Sequence, residues 1–274
     1  MSYQVILEDL KQISRQAGQE ILKFYDLESS EDDKKDNFPV TKADLASNDI
    51  ILQGLQKYKD EGMGVLSEET KEDVSYLSCE NIFIVDPLDG TKDFVHKTGD
   101  FSILIAYVED AEVRIGVVYK PAVNIMYWAI KGQGAFKEDG GEVKQIKVSN
   151  ESDLSQMKLV VSRFHVRDEE LELKEKLGLL DFKQMGSVAK MCLVADGSAH
   201  LYVSTTDKTG EWDSAAPSII ATEAGARVTS VSGKELKFKK IEPYNVDGFV
   251  VSNGTRHQEI LSTLNEGRSL EKKV

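Results

Sequence analysis

The 274-residue sequence is poor in the residues on which many function classes depend: it has two cysteines, five prolines, four histidines and two tryptophans. Cys79 and Cys192 lie far apart and form no Cys-x-x-Cys pattern. They imply no disulfide framework and favour a reducing, cytoplasmic compartment. His96, His165, His200 and His257 include no His-Glu-x-x-His arrangement, which argues against zinc chemistry. No stretch approaches the roughly 18 uninterrupted apolar residues of a membrane span. Met1-Ser2-Tyr3-Gln4 lacks the basic region and apolar core of a signal peptide. Positive charge is the scarcer sign, 34 Lys and Arg against 47 Asp and Glu, for a formal charge of −13. That balance argues against a nucleic-acid polymer or an anionic membrane as partner, and leaves a small anionic ligand only where local positive charge or cations offset it. Internal repeats are absent. Gly132-Gln133-Gly134 has Lys137 where a dinucleotide fingerprint needs its third glycine.

What is present suits a soluble globular chain: 41% hydrophobic and 30% charged residues, long enough for a large core in one domain or two intimately packed halves. Ile6, Leu10, Ile13, Ala17, Ile21 and Phe24 recur at helical spacing and predict a first amphipathic helix. The charged run Glu28 to Asn37 predicts a solvated connector. A second helix follows Val40, with Ile51, Leu52, Leu55 and Tyr58 on its apolar face. Val65 to Thr70 predicts a short strand ending in acids. Phe101 to Tyr107, Val113 to Lys120 and Asn124 to Ile130 predict an antiparallel meander, and Gly132, Gly134 and Gly140-Gly141 are turn residues. Beyond Asn150 the pattern alternates. Strands are expected at Lys158 to Ser162, Ala199 to Ser204, Arg227 to Val231 and Gly248 to Ser252. Helices are expected at Glu169 to Leu177, Val188 to Ala195, Ser214 to Ala224 and Gln258 to Leu264. The fold class is therefore α/β (α+β), with an antiparallel sheet in residues 1–150 and a mixed sheet with helices on its faces in 151–274, both halves contributing to one site.

The sequence is organised around Ile82-Phe83-Ile84-Val85-Asp86-Pro87-Leu88-Asp89-Gly90-Thr91. Four apolar residues predict a buried strand, ended by Pro87, which cannot extend a central ladder. Two acids, a glycine and a threonine follow where the strand would open onto a crevice. Carboxylates about 4 Å apart repel by roughly 4 kcal/mol at an effective dielectric of about 20. Such a pair persists if solvated, sharing a proton or binding a cation, and a metal clamp is the reading taken here. Two further acids have plainer accounts beside a functional one. Thr41-x-x-Asp44 matches a capping box, and Asp213, in Gly210-Glu211-Trp212-Asp213-Ser214, suits a helix N-cap or an acid completing a cation site at a helix N-terminus that also suits phosphate. Oxygen ligands without clustered His or Cys favour magnesium or manganese, and two such ions suit in-line phosphoryl transfer to water.

Ser67-Glu68-Glu69, Asp86-Pro87-Leu88-Asp89-Gly90-Thr91 and Trp212-Asp213-x-Ala215-Ala216 together resemble the lithium-sensitive, magnesium-dependent phosphatases of the inositol monophosphatase superfamily. Asp89-Gly90-Thr91-Lys92-Asp93-Phe94, Ser162-Arg163-Phe164-His165 and Gly186-Ser187-x-x-Lys190-x-Cys192-Leu193-Val194-Ala195 look most like its bacterial-type 3'(2'),5'-bisphosphate nucleotidases. The resemblance implies a five-layer α/β/α/β/α fold, two or three Mg2+ ions with Mn2+ as an alternative, and removal of the 3'-phosphate of adenosine 3',5'-bisphosphate, a by-product of sulfur metabolism. It implies Glu68, Asp86, the Leu88 carbonyl, Asp89 and Asp213 as metal ligands, and Asp44 and Thr91 as the residues that activate water. Glu68, Leu88, Asp89, Gly90, Thr91 and Asp213 would border the phosphate, while His165, Ser187 and Lys190 would hold the nucleotide; their plainer accounts are a turn histidine, a helix cap and a surface lysine. Relatives of this type usually carry serine where Phe164 stands. Many members dimerise, which makes a homodimer an expectation. The same chemistry on an inositol or sugar monophosphate is the alternative. An aspartyl-phosphate enzyme, which needs Asp-x-Asp, does not fit the Asp86–Asp89 spacing.

Overall fold

A computed structural model describes residues 2–25 and 42–271, the side chains of 267–271 excepted. The charged run at 28–37 and Thr41, the partner in the expected capping box of Asp44, lie outside the described residues. Helix α1 (Tyr3–Tyr25) and helix α2 (Lys42–Asp60) precede a sheet of seven strands in sequence order: β1 (Gly64–Ser67), β2 (Asn81–Asp89), β3 (Ser102–Glu109), β4 (Glu112–Lys120), β5 (Ile125–Ile130), β6 (Ala135–Asp139) and β7 (Glu142–Ile146). A short helix α3 (Thr91–Val95) follows β2. The sheet is antiparallel except for its first pair, β1 and β2, which run parallel with Ser67 opposite Val85. The second half supplies β8 (Lys158–Ser162), α4 (Asp168–Lys176), β9 (Asp181–Met185), α5 (Lys190–Ala195), β10 (Leu201–Ser204), α6 (Glu211–Glu223), β11 (Arg227–Ser230), β12 (Phe249–Ser252) and α7 (His257–Glu271). Its five strands form a mixed sheet in the order β11-β12-β10-β8-β9. No helix among the described residues is long and apolar enough to cross a membrane.

The period-two alternation of strand side chains divides the interior. Phe83 and Val85 of β2 face α1 and α2, packing with Ile6, Leu10, Ile13, Ile51 and Leu55. Ile82 and Ile84, on the other face, join a second core with Met191 and Cys192 of α5, Trp212 and Ile220 of α6, and Val160, Tyr202 and Phe249 of the smaller sheet. Leu173 of α4 and Ile260 of α7 cover that sheet's far side. The result is the five-layer α/β/α/β/α sandwich, with α5 and α6 between the sheets.

Three expectations change in detail. Strand β2 does not stop at Pro87 but runs to Asp89, because its register shifts between Asp86 and Asp89. A bulge tolerates a residue with no N–H, and β1 has already ended opposite Val85. Helix α6 begins at Glu211 with Gly210 as its N-cap, so Asp213 lies in the first turn rather than capping it. The edge strands β7 and β9 are mostly exposed and β6 mostly half-buried, so none had a hydrophobic alternation to announce it, and the sequence reading placed no strand at any of them.

Candidate active site

The carboxyl ends of β1 and β2 converge on the start of α6. Asp86 and Asp89 lie on either side of the bulge in β2, and Asp213 enters from the first turn of α6. One oxygen from each of these three acids lies within 4.8 Å of the others. At that spacing and an effective dielectric of about 20, each pair of anions repels by roughly 3–4 kcal/mol. Burial is the main influence on all three carboxyls, and all three lie above the usual carboxylate range. For Asp86 the charges of Glu68, Asp89, Asp213 and Asp44 add to the effect of burial. For Asp213 those of Asp89 and Glu68 do so. Glu68, in the turn after β1, is pushed up to about 7 by burial, then by Glu69 and Asp89. Acids this close and this poorly solvated have oxygen donors only, which fits a hard divalent cation.

The surrounding groups fix these acids. The Leu88 N–H donates to Asp86 Oδ1 at 3.1 Å. Ser47 Oγ on α2 donates to the Pro87 carbonyl at 2.7 Å, tying that helix to the turn, and Ser67 Oγ donates to Asn48 Oδ1 at 2.7 Å. Asp89 Oδ2 accepts from the Val188 N–H at 2.5 Å, from Ser102 Oγ at 3.3 Å and from the Ser187 hydroxyl. These donors and Lys190 pull the Asp89 carboxyl downward against burial. The Gly210 N–H donates to Asp213 Oδ2 at 2.5 Å. Gly90 N-caps α3 at φ +91°, and a Cβ there would meet the Asp100 carbonyl oxygen at 2.9 Å. Only glycine takes both that conformation and that approach at little cost.

The other expected site residues are distributed around this centre. Asp44 is buried in the first turn of α2, close enough for its charge to bear on Glu68 and Asp86. Leu88 is buried in the bulged end of β2, and Thr91 opens α3. Ser187 holds a positive φ of 59°. Lys190 is buried rather than a surface lysine; its ammonium donates to the Ser187 carbonyl and, at 3.3 Å, to that of Met185. Burial lowers the Lys190 ammonium to about 8, although Asp89 and Asp93 oppose the shift. His165 is exposed at its outer edge, with Nε2 2.9 Å from Lys92 Nζ, and the partial desolvation of its ring, followed by the charges of Lys92 and Lys190, lowers its pKa. The Phe164 and His96 rings meet at a tilt of 38° with centroids 4.9 Å apart.

Sequence reasoning assigned no role to several residues that hold this frame together. Ser102 sits one residue past the expected strand start, and its hydroxyl could not be told from any strand serine. Asp93, Asp100 and Arg163 form an ion-pair cluster whose members are distant in sequence. Glu211, fully buried, accepts the Lys239 and Lys240 N–H groups at 2.6 and 2.9 Å, fastening that loop to the N-terminus of α6. Its place beside Trp212-Asp213 was the available signal.

Bulge, acids and flanking helix together define a class. The chain belongs to the inositol monophosphatase family, a family of phosphatases, whose sequence pattern matches residues 2–269. Within it, the chain is 38% identical over 252 residues to the 3'(2'),5'-bisphosphate nucleotidase CysQ of Salmonella typhimurium, covering 90% of this chain and 99% of that protein. The crystal structure of CysQ from Bacteroides thetaiotaomicron shares 31% identity at a TM-score of 0.79, covering 91% of this chain and 97% of that one. The IMPase of Thermotoga maritima shares 30% at a TM-score of 0.77, covering 93% and 94%.

Proposed function

We propose that this protein is a magnesium-dependent 3'(2'),5'-bisphosphate nucleotidase that removes the 3'-phosphate of adenosine 3',5'-bisphosphate, giving AMP and phosphate. The observation that carries the chemistry is the convergence of Asp86, Asp89 and Asp213 within 4.8 Å in a buried setting. The substrate is supported by the identity to CysQ across nearly the whole chain. In this reading residues 1–150 supply most metal ligands, and residues 151–274 supply substrate contacts and Asp213.

Glu68, Asp86, the Leu88 carbonyl, Asp89 and Asp213 would hold two or three magnesium ions, manganese being the alternative. Bound ions would polarise the phosphoryl oxygens and lower the pKa of water in the site. The Thr91 hydroxyl and Asp44 orient the attacking water, and its proton passes through Thr91 to the Asp44 carboxylate. Leu88, Asp89, Gly90, Thr91, Glu68 and Asp213 border the transferred phosphate. His165, Ser187 and Lys190 hold the nucleotide, the Lys190 ammonium supplying local positive charge in a chain whose net charge is −13. The unpaired Cys79 and Cys192 fit a cytoplasmic enzyme, and a homodimer belongs to the same proposal.

Phosphate release from a panel of phosphomonoesters, with Mg2+ and with chelator, tests this. Adenosine 3',5'-bisphosphate should be the preferred substrate, with release abolished by chelator and inhibited by millimolar lithium. Preference for inositol 1-phosphate would favour the second reading, an inositol or sugar monophosphatase, to which the similarity to the Thermotoga maritima IMPase lends weight. No release from any ester would leave a silent binder.

A further inference from the structure

Arg163 directly follows β8 and, among the described residues, its hydrogen bonds go to none of the side chains proposed to act on substrate, yet it joins three segments that border the acids. Its guanidinium donates through one terminal nitrogen to Asp93 Oδ1 and through the other, at 2.6 Å, to Asp100 Oδ2. Its backbone N–H donates to the Met185 carbonyl at 2.9 Å. Asp93 lies on α3, two residues beyond Thr91, and Asp100 stands just before β3. Met185 ends β9 and leads directly into Gly186 and Ser187.

The contact between Asp93 and Gly186 explains why this arrangement matters. Asp93 is buried, with Thr98 Oγ1 donating to its Oδ1 at 2.7 Å. A Cβ on Gly186 would collide with the Asp93 carboxylate, so that carboxylate fills the space the glycine leaves. The loop pressed against Asp93 is the one whose Ser187 hydroxyl and Val188 N–H hold Asp89 Oδ2. Arg163 therefore fixes Asp93, Asp93 fixes the 186–188 loop, and that loop fixes Asp89. Lys120 adds a weaker tie to Asp100 at 3.4 Å.

We propose that Arg163 is a positioning residue: by bridging Asp93 and Asp100 it sets the 186–188 loop that orients the Asp89 carboxylate. This deepens the hydrolase reading and rests on it for the kinetic test alone. A planar fork reaching two acids on different segments cannot be replaced by an ammonium, which acts as a point charge. Lysine would keep the charge and lose the bridge.

The test compares Arg163→Lys and Asp100→Asn with wild type in kcat, KM, calorimetric Mg2+ binding and thermal unfolding in chelator. A misplacement of about 1 Å costs on the order of a hundredfold in rate. For both variants kcat is therefore expected to fall about 10- to 100-fold while KM moves less than about threefold. Mg2+ binding should weaken in both, and chelator-treated variants should still unfold cooperatively. Wild-type kcat and wild-type Mg2+ affinity in both variants would overturn the proposal. So would loss of activity through KM alone. If Arg163→Lys does not fold, Asp100→Asn decides by the same measures. Should the wild type prefer another phosphomonoester, the nucleotidase reading falls and Arg163 is judged on that ester. Should it cleave none, the hydrolase reading falls and the Mg2+ titration judges Arg163.

Discussion

Asp89 concentrates the competing demands on the site. It is buried, it faces two other acids, and it is fixed by donors from β3 and the 186–188 loop. Asp89→Asn keeps the shape and removes the charge. Repulsion is then relieved while a cation ligand is lost, so thermal stability in chelator should equal or exceed wild type. Turnover should drop by at least about 100-fold, more than the loss typical for partners of metal ligands. Phosphate release and an unfolding scan on the same preparation check both parts. Asp86 and Asp89 were legible in sequence because crowded carboxylates need a reason to stay, whereas Asp213 suited a helix cap equally well and joined them through the family resemblance. The buried state of Lys190 was not, because no neighbour in sequence reveals that Tyr202 lies beneath its ammonium, 5.0 Å from the ring centroid.

Between elements, turns and junctions carry the testable physics. The β3–β4 and β6–β7 hairpins both close with two residues at positive φ: Asp110 and Ala111 at 52° and 58°, Gly140 and Gly141 at 58° and 83°. This conformation costs an L-residue with a plain Cβ about 1 kcal/mol or more. Ala111→Gly should therefore raise stability by roughly 0.5–1 kcal/mol, read from urea unfolding, with kcat unchanged. A second junction joins β11, β12 and α7. His257 opens α7 with Nε2 2.9 Å from Thr229 Oγ1 and Nδ1 2.8 Å from Ser252 Oγ. Burial, aided by Arg227, lowers its pKa from 6.5 to about 4. Between those values the unfolded chain binds more protons, so the stability His257 contributes is complete above about pH 6.5 and is lost as pH falls toward 4. Urea unfolding at pH 7 and pH 5 should show a shallower decline for His257→Gln than for wild type. Apart from the short α3, the helices and the buried strands were readable from their pattern. Strands β7 and β9 were not, because edge positions impose no apolar face, and the path of β2 past Pro87 depended on a bulge that only the partner strand reveals.

In the whole molecule, the middle layer is the part that holds the halves together. Ile84, Leu104 and Val118 from the first sheet pack with Met191, Trp212 and Ile220 of α5 and α6. A fragment ending at residue 150 would leave that sheet face open to water. Expressed alone it should aggregate or bind a hydrophobic dye strongly, whereas the full chain should do neither; a soluble, cooperatively unfolding fragment would contradict this. The order of layers came from the family resemblance that the motifs carry; the alternation of elements alone implied a mixed sheet with helices on its faces. How firmly α6 is strapped was not, since Glu211 holds residues 239 and 240 from across the fold.

Because Asp213 arrives on α6 while Asp86 and Asp89 arrive on β2, a ribosome must add more than 120 residues after Asp89 before the third acid exists. The cluster is incomplete until then. A single protease cut between β2 and α6 would likewise put the cluster at risk wherever the two pieces separate.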